Sequence, residues 1–346
     1  MERSVGKRDT EHERIDIAPP ESDIGGDGRG PRPIASRQIP MNAPTSHPLG
    51  HLPVGIAAVR PLPDEGLLEL WESIFVPSAI KGQLLGQAVL NFTVRPRVSR
   101  VILPLHGVIL LSGPPGTGKT SLAKGLATRT AESLPGSSQF RLVEVDPHAL
   151  ANSALGRTQR AVTSLFRDAI AEQALLGPTI VLLDEVETLL VDRSKLSLEA
   201  NPVDVHRSTD AALVQLDHIA EAHPNTLFVA TSNFAQAIDP AFLSRTDLAL
   251  QVPLPDEEGC RAILAHVLHG LGHVFPRLAT LVGAPGFSEL VAACAGLDGR
   301  QIRKVVAAAC AADKQTALDA DRLTITDLIA AARSATRAFG QGGIRR

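Results

Sequence analysis

Apolar positions along the chain follow two rhythms. Short, mainly apolar blocks lie at residues 108–111, 140–146, 179–184, 226–232 and 248–252. Blocks of this length, rich in Val, Ile and Leu, read as strands covered on both faces. Between them apolar residues recur at helical spacing: Leu122 and Leu126, then Val162, Leu165, Phe166 and Ala169, then Ala211, Leu213, Val214, Leu216 and Ile219. Five strands alternating with helices predict an α/β fold, a five-stranded parallel sheet that is doubly wound. Upstream, Ile80, Leu84, Leu85 and Ala88 share one face of a helix that starts at Pro77.

After Pro253-Leu-Pro-Asp256 the strand rhythm stops, and helices are predicted over 257–269, 287–295, 299–312 and 324–339. The chain therefore divides into an α/β core over residues 64–253 and a small C-terminal all-α domain over 254–339. Residues 1–63 are rich in Pro, Gly, Ser and charge without any period, which predicts a disordered tail. Residues 340–346 are expected to fray. The stretch 192–203 is polar and reads as a loop.

Composition narrows the function classes. With 346 residues and a net charge of −3, the chain has the length for two domains and no general pull toward nucleic acid or acidic lipid. Basic residues are scattered rather than massed in a stripe, so nucleic acid is an unexpected partner. Cys260, Cys294 and Cys310 lie far apart, which fits reduced thiols in a cytoplasmic protein. Polar sequence follows Met1, with no signal peptide, and no apolar run has membrane-spanning length.

The candidate chemistry sits at the ends of the predicted strands. After the block 108–111 comes Gly113-Pro-Pro-Gly-Thr-Gly-Lys-Thr120, which satisfies the phosphate-loop spacing G-x-x-x-x-G-K-[ST]. Gly113, Pro114, Pro115, Gly116, Thr117, Gly118, Lys119, Thr120 and Ser121 form the candidate nucleotide-binding set. Glycines at 113, 116 and 118 let backbone N–H groups curl around phosphate, and the next helix aims its positive end at the same anion. Lys119 adds a point charge, and Thr120 supplies a hydroxyl for Mg²⁺. The block ending at Asp184-Glu185 puts two carboxylates at a strand's carboxyl end, where open α/β sheets bind ligands. Asp184 is placed to hold Mg²⁺ with Thr120, and Glu185 to polarise the water that attacks the γ-phosphate. Asn233 ends the strand predicted to lie between those two. An asparagine there is ordinarily a turn residue; beside Glu185 its amide can orient the attacking water.

These elements, with Arg245 and Gly299-Arg300, resemble an AAA+ ATPase with an α/β core and a helical lid. Over roughly residues 67–312 the likeness narrows to the pachytene-checkpoint, HORMA-remodelling family and its bacterial members. Trp71-Glu-Ser, Leu110-Leu-Ser-Gly-Pro-Pro-Gly-Thr-Gly-Lys-Thr-Ser-Leu122, Leu182-Leu-Asp-Glu-Val-Glu-Thr188, Pro202-Val-Asp-Val-His-Arg207 through Leu213-Val-Gln-Leu-Asp217, Thr231-Ser-Asn233 and Gly296-Leu-Asp-Gly-Arg-Gln-Ile-Arg303 carry it. The resemblance implies ATP and Mg²⁺ as cofactors and Arg245 as an arginine finger that reaches the γ-phosphate of a neighbouring subunit. It also implies Arg300 as a sensor tying phosphate state to lid angle, and a self-assembled ring, a homohexamer. The implied activity is partial unfolding or disassembly of a HORMA-domain protein, and the bacterial members imply a place in nucleotide-signalling phage defence. The pore loops would lie at Leu155, where the family carries an aromatic residue, and near Asp204–Arg207. Two other readings remain open on the residues: a clamp- or helicase-loader type ATPase, and a nucleotide-gated scaffold with little hydrolysis.

Overall fold

A computed structural model describes residues 52–136, 139–147, 149, 158–192 and 202–339, and these described residues belong to one compact unit. Its strands are β1 (Ile56–Pro61), β2 (Val108–Ser112), β3 (Arg141–Val145), β4 (Thr179–Leu183), β5 (Thr226–Ser232) and β6 (Leu248–Gln251). They form a six-stranded sheet in the order β1-β3-β4-β5-β2-β6. The five strands from β3 to β6 are mutually parallel, as the apolar blocks predict.

The sixth strand corrects two expectations. β1 lies inside the stretch expected to be a disordered tail, and it pairs antiparallel with β3, Val59 opposite Val143 and Pro61 opposite Arg141. The sheet is thus mixed and six-stranded rather than purely parallel and five-stranded. The physical reason is that an edge strand is held by main-chain bonds on one side only, so its sequence needs few apolar residues. Here Ile56 and the following Leu62 are buried, and Pro61, which has no N–H to donate, is tolerated at an edge.

Alternation along the strands fills two cores. Val108, Leu110, Val143, Val181, Leu183 and Phe228 face one side. There they meet α4 (Thr158–Ser164), which runs through a π-helical segment at Leu165–Ile170 into α5 (Ala171–Leu176), and α6 (Pro202–Ala222). Ile109, Leu111, Leu142, Ile180, Leu182 and Val229 face the other side. They pack on α1 (Glu65–Ser73), α2 (Ser78–Thr93) and α3 (Lys119–Glu132), the first three helices in chain order. Pro202 opens α6, so the last two residues of the polar stretch read as a loop through 203 are helical; proline suits the first helical turn because its missing N–H has no intrahelical partner there.

A short helix, α7 (Pro240–Leu243), leads into β6. The helices that follow are α8 (Glu257–Gly272), α9 (Pro276–Thr280), α10 (Phe287–Ala293), α11 (Gly299–Ala311), α12 (Lys314–Leu318) and α13 (Ile325–Phe339). They carry their own apolar core around Leu264, Leu268, Leu290, Ile302, Val306 and Leu328. Cys260 and Cys294 are buried in it as free thiols, and burial pushes the Cys294 thiol up to about 12.

The sheet positions α3, and α3 in turn is gripped by α1. The gap between them is closed at Gly125, where an added Cβ would lie 2.8 Å from both Cα and N of Trp71. Backbone cannot step aside as a flexible side chain can. Gly125→Ala should therefore lose about 1–3 kcal/mol to overpacking, outweighing a helix-propensity gain of about 1 kcal/mol. Urea titration should show a lower midpoint; an equal or higher midpoint would contradict this packing.

Candidate nucleotide site

Three parallel strands, β4, β5 and β2, stand side by side and deliver their carboxyl ends to one cleft of about 400 Å³. After β2 the chain must turn sharply before α3 can begin. Gly113, Gly116 and Gly118 take positive φ values of 146°, 79° and 89°. A Cβ at Gly113 would fall 2.3 Å from the Val252 carbonyl oxygen, and one at Gly118 would fall 2.6 Å from Ile74 Cδ1. Conformation therefore demands glycine at both, and at Gly113 the fixed backbone carbonyl leaves no room for a side chain either. Thr117 folds its hydroxyl back onto the Pro114 carbonyl. Lys119 is buried and donates to the carbonyls of Gly113 (2.9 Å) and Pro114 (2.8 Å). Burial lowers its pKa, while Glu187, Asp184 and Glu185 pull the other way.

The acidic strand end is tied to the loop by hydroxyls. Asp184 Oδ1 accepts from Thr120 Oγ1 at 2.8 Å and also from Thr231 Oγ1. Thr231 in turn accepts the Glu185 backbone N–H at 3.2 Å, so one hydroxyl serves both neighbouring carboxylate residues. Glu185 itself has φ of 49°, the left-handed region, the one such non-glycine residue among those described. Holding it there costs of order 1–3 kcal/mol, offset locally by the turn in which Thr188 N donates to the Glu185 carbonyl. Asn233 Nδ2 reaches Glu185 Oε1 at 3.4 Å, and its backbone N–H donates to Glu187 Oε1 at 3.0 Å.

The helical part closes the cleft. Asp298 caps α11 in a capping box with Gln301. The Arg300 backbone N–H donates to the Gly116 carbonyl at 3.3 Å, and the Arg300 side chain lines the cleft. Arg303, one turn on, donates to the Ser73 carbonyl at 2.6 Å; burial lowers its pKa. Thus Lys119, Thr120, Ser121, Asp184, Glu185, Asn233 and Arg300 come together as the sequence predicts. Arg245 does not join them. It lies at the end of α7, outside the cleft lining, and pairs with Asp217 of α6. Leu155 lies outside the described residues, and Asp204–Arg207 fall in the first turns of α6.

Three residues of the site carry roles that spacing alone does not mark. Thr231 sits inside an apolar strand, Glu187 reads as a polar turn residue, and Arg303 resembles any helix-surface arginine. Only Thr231 leaves a trace, a polar residue where the buried strand face otherwise stays apolar until its end.

The residues suit a nucleoside triphosphate with Mg²⁺: the loop glycines take the positive φ values that let backbone N–H groups curl around an anion, and Thr120 with Asp184 offers the oxygen donors a hard cation takes. Comparison with known proteins agrees. Residues 109–254 match the model of the ATPase family associated with various cellular activities (AAA). Over 292 residues the chain is 60% identical to "CD-NTase-associated protein 6" of Pseudomonas aeruginosa, spanning 84% of this chain and 96% of that protein. The chain belongs to the bacterial pachytene-checkpoint-type AAA+ ATPases.

The eukaryotic relatives are more distant. The "Pachytene checkpoint protein 2 homolog" of Danio rerio is 36% identical over 193 residues, 54% of this chain and 44% of that protein. The chain thus spans under half the length of that relative. Among solved structures, PCH-2 of C. elegans aligns with a TM-score of 0.64 at 23% identity, over 82% of this chain and 75% of that one. A chain of the E. coli MS115-1 HORMA:CdnC:Trip13 complex aligns with a TM-score of 0.65 at 17% identity, over 80% of this chain and 94% of that one. These two show the shared fold. Among the described residues no helix is long and apolar enough to cross a membrane.

Thr231→Val keeps the shape of a buried side chain and removes the hydroxyl on which Asp184 and Glu185 both lean. Groups that orient a metal ligand are typically worth about 10–100-fold in metal affinity or activity. A Mg²⁺ titration of ATPase turnover should show a shift of that size toward weaker Mg²⁺ response or slower turnover; a curve superimposable on the parent's would remove Thr231 from the site.

Proposed function

We propose that the chain is an ATP-hydrolysing remodeller that partly unfolds or disassembles a partner protein, a HORMA-domain protein, in bacterial nucleotide-signalling defence. The observation that carries this is the 60% identity along 96% of a CD-NTase-associated relative. The solved complex that holds a chain of the same fold beside HORMA and CdnC components supports the choice of partner.

The reaction is ATP plus water to ADP plus phosphate, and each step follows from a group in place. The phosphate loop and Lys119 hold the phosphates. Thr120 and Asp184 would hold Mg²⁺, which when bound neutralises charge on the transferring phosphoryl group. The Glu185 carboxylate takes a proton from the attacking water, and Asn233, donating to Glu185 Oε1, keeps that carboxylate directed. Arg300, presented by α11 opposite the loop, answers the γ-phosphate from the lid side.

Because the Arg300 N–H rests on the Gly116 carbonyl and Arg303 on the Ser73 carbonyl, the lid touches both the phosphate loop and the wall of the cleft. Loss of the γ-phosphate then alters what holds the lid, and the resulting rotation supplies the pull. Arg245 lies outside its own cleft and acts on a neighbour's, which makes a ring the working form. Exposed apolar residues around it favour a protein face seated there. Val214 is 61% exposed one turn before Asp217, and Val101 and Ile102 are 95% and 78% exposed next to Arg100, whose charge bears on Asp217.

The test is release. A HORMA-domain partner in its bound complex should be freed or made protease-sensitive by the parent protein with ATP. Glu185→Gln, which keeps nucleotide binding, should leave the complex intact. Equal release by both, or none by the parent while it turns over ATP, would overturn the assignment.

A further inference from the structure

Arg245 is held from several directions. Its backbone N–H donates to the Phe242 carbonyl at 2.9 Å, completing the turn after α7. Two residues on, Asp247 accepts the N–H groups of His106 (2.9 Å), Gly107 (2.6 Å) and Val108 (3.1 Å), which pins the chain to the start of β2. The guanidinium is gripped as well. Nε donates to Asp217 Oδ1 at 2.9 Å, Nη2 to Asp217 Oδ2 at 2.7 Å, and Nη1 to the Ala241 carbonyl at 2.7 Å.

The side chain of Asp217 is 39% exposed, and a single-contact ion pair at such a place would stabilise a fold little. A two-point fork, by contrast, fixes direction. A guanidinium carries five N–H groups; with three engaged inside the chain, two remain for an oxyanion from outside it.

The geometry points to Asp217 as the positioning residue of the arginine finger. It fixes the Arg245 guanidinium before a neighbouring subunit's γ-phosphate arrives, and the pair approaches that phosphate as one preformed unit. This rests on the proposed action of Arg245 in trans. Asp217 touches no reacting atom of its own. Its contribution is that the arginine need not be ordered during the reaction, so the charge developing on the phosphoryl group meets a donor already in place.

An alternative geometry would have Asp217 compete with phosphate for Arg245, and the two differ in the sign of the mutant effect. Misplacing a catalytic group by about 1 Å costs on the order of 100-fold. Asp217→Ala should lower kcat about 10- to 100-fold while KM for ATP moves by no more than about 2-fold, since the finger works in the transition state.

The decisive arm is mixing. Asp217→Ala subunits have an intact base and a misdirected finger; Glu185→Gln subunits have the reverse. Mixed in varying ratio, they should recover turnover above the sum of the two alone, as Arg245→Ala and Glu185→Gln should. Asp217→Asn, close in shape but without the charge, serves as the second variant and should recover in the same way. Turnover of Asp217→Ala equal to or above the parent's overturns the inference, as competition would then be the role. Loss without recovery, while Arg245→Ala does recover, also overturns it, because the defect would lie in the subunit's own site. Absence of recovery for Arg245→Ala removes the finger in trans itself, and the inference with it.

Discussion

A single carboxylate oxygen joins the parts of this site. Asp184 Oδ1 receives the Thr120 hydroxyl from the head of α3 and the Thr231 hydroxyl from the end of β5, and so links three chain segments that meet nowhere else with such economy. Without that convergence, the side-chain tie between the head of α3 and the acidic strand end would be lost, leaving Asn233 bonded only to Glu185 and Glu187. In a parallel sheet the strand ends are loops, and loops are the least ordered parts of a fold. Two buried or half-buried hydroxyls convert them into a frame. Glu185 is then held in a left-handed conformation it would not adopt alone, with Thr231 and Thr188 satisfying its backbone on either side.

The three arginines divide along the same line of reasoning. Arg300 and Arg303 sit on consecutive turns of α11, one lining the cleft, the other bound to the Ser73 carbonyl at its wall. The lid is therefore read directly by the phosphate loop through the Gly116 carbonyl. Arg245 faces elsewhere and finds its carboxylate on α6, not in its own cleft. On the proposed action of Arg245 in trans, this separation leaves the guanidinium for the cleft of a neighbouring copy.

Much of this was legible in the residues. The apolar blocks named the five parallel strands, because strands covered on both faces cannot hide their hydrophobicity. The loop glycines named the phosphate cradle, because Gly113 has no room for a side chain beside the Val252 carbonyl and Gly118 takes a left-handed φ that other residues rarely adopt. Less legible was β1, whose edge position asks little of its sequence, and the start of α6, where Pro202 looked like the end of a loop rather than the first turn of a helix. Least legible were Thr231, Glu187, Arg303 and Asp217. Each acts by orienting another residue across a large sequence separation, and such pairing leaves no periodicity and no fixed spacing. The resemblance to a family supplied the positions of Arg245 and Arg300; it said nothing of what holds them.

The account turns on hydrolysis at a seam between protomers. The most direct measurement is the mass of the Glu185→Gln protein in solution, by analytical ultracentrifugation, with saturating ATP and Mg²⁺. A closed ring, six copies in the account's fullest form, is the predicted result. A protein that binds nucleotide yet stays monomeric throughout the concentration range would contradict it.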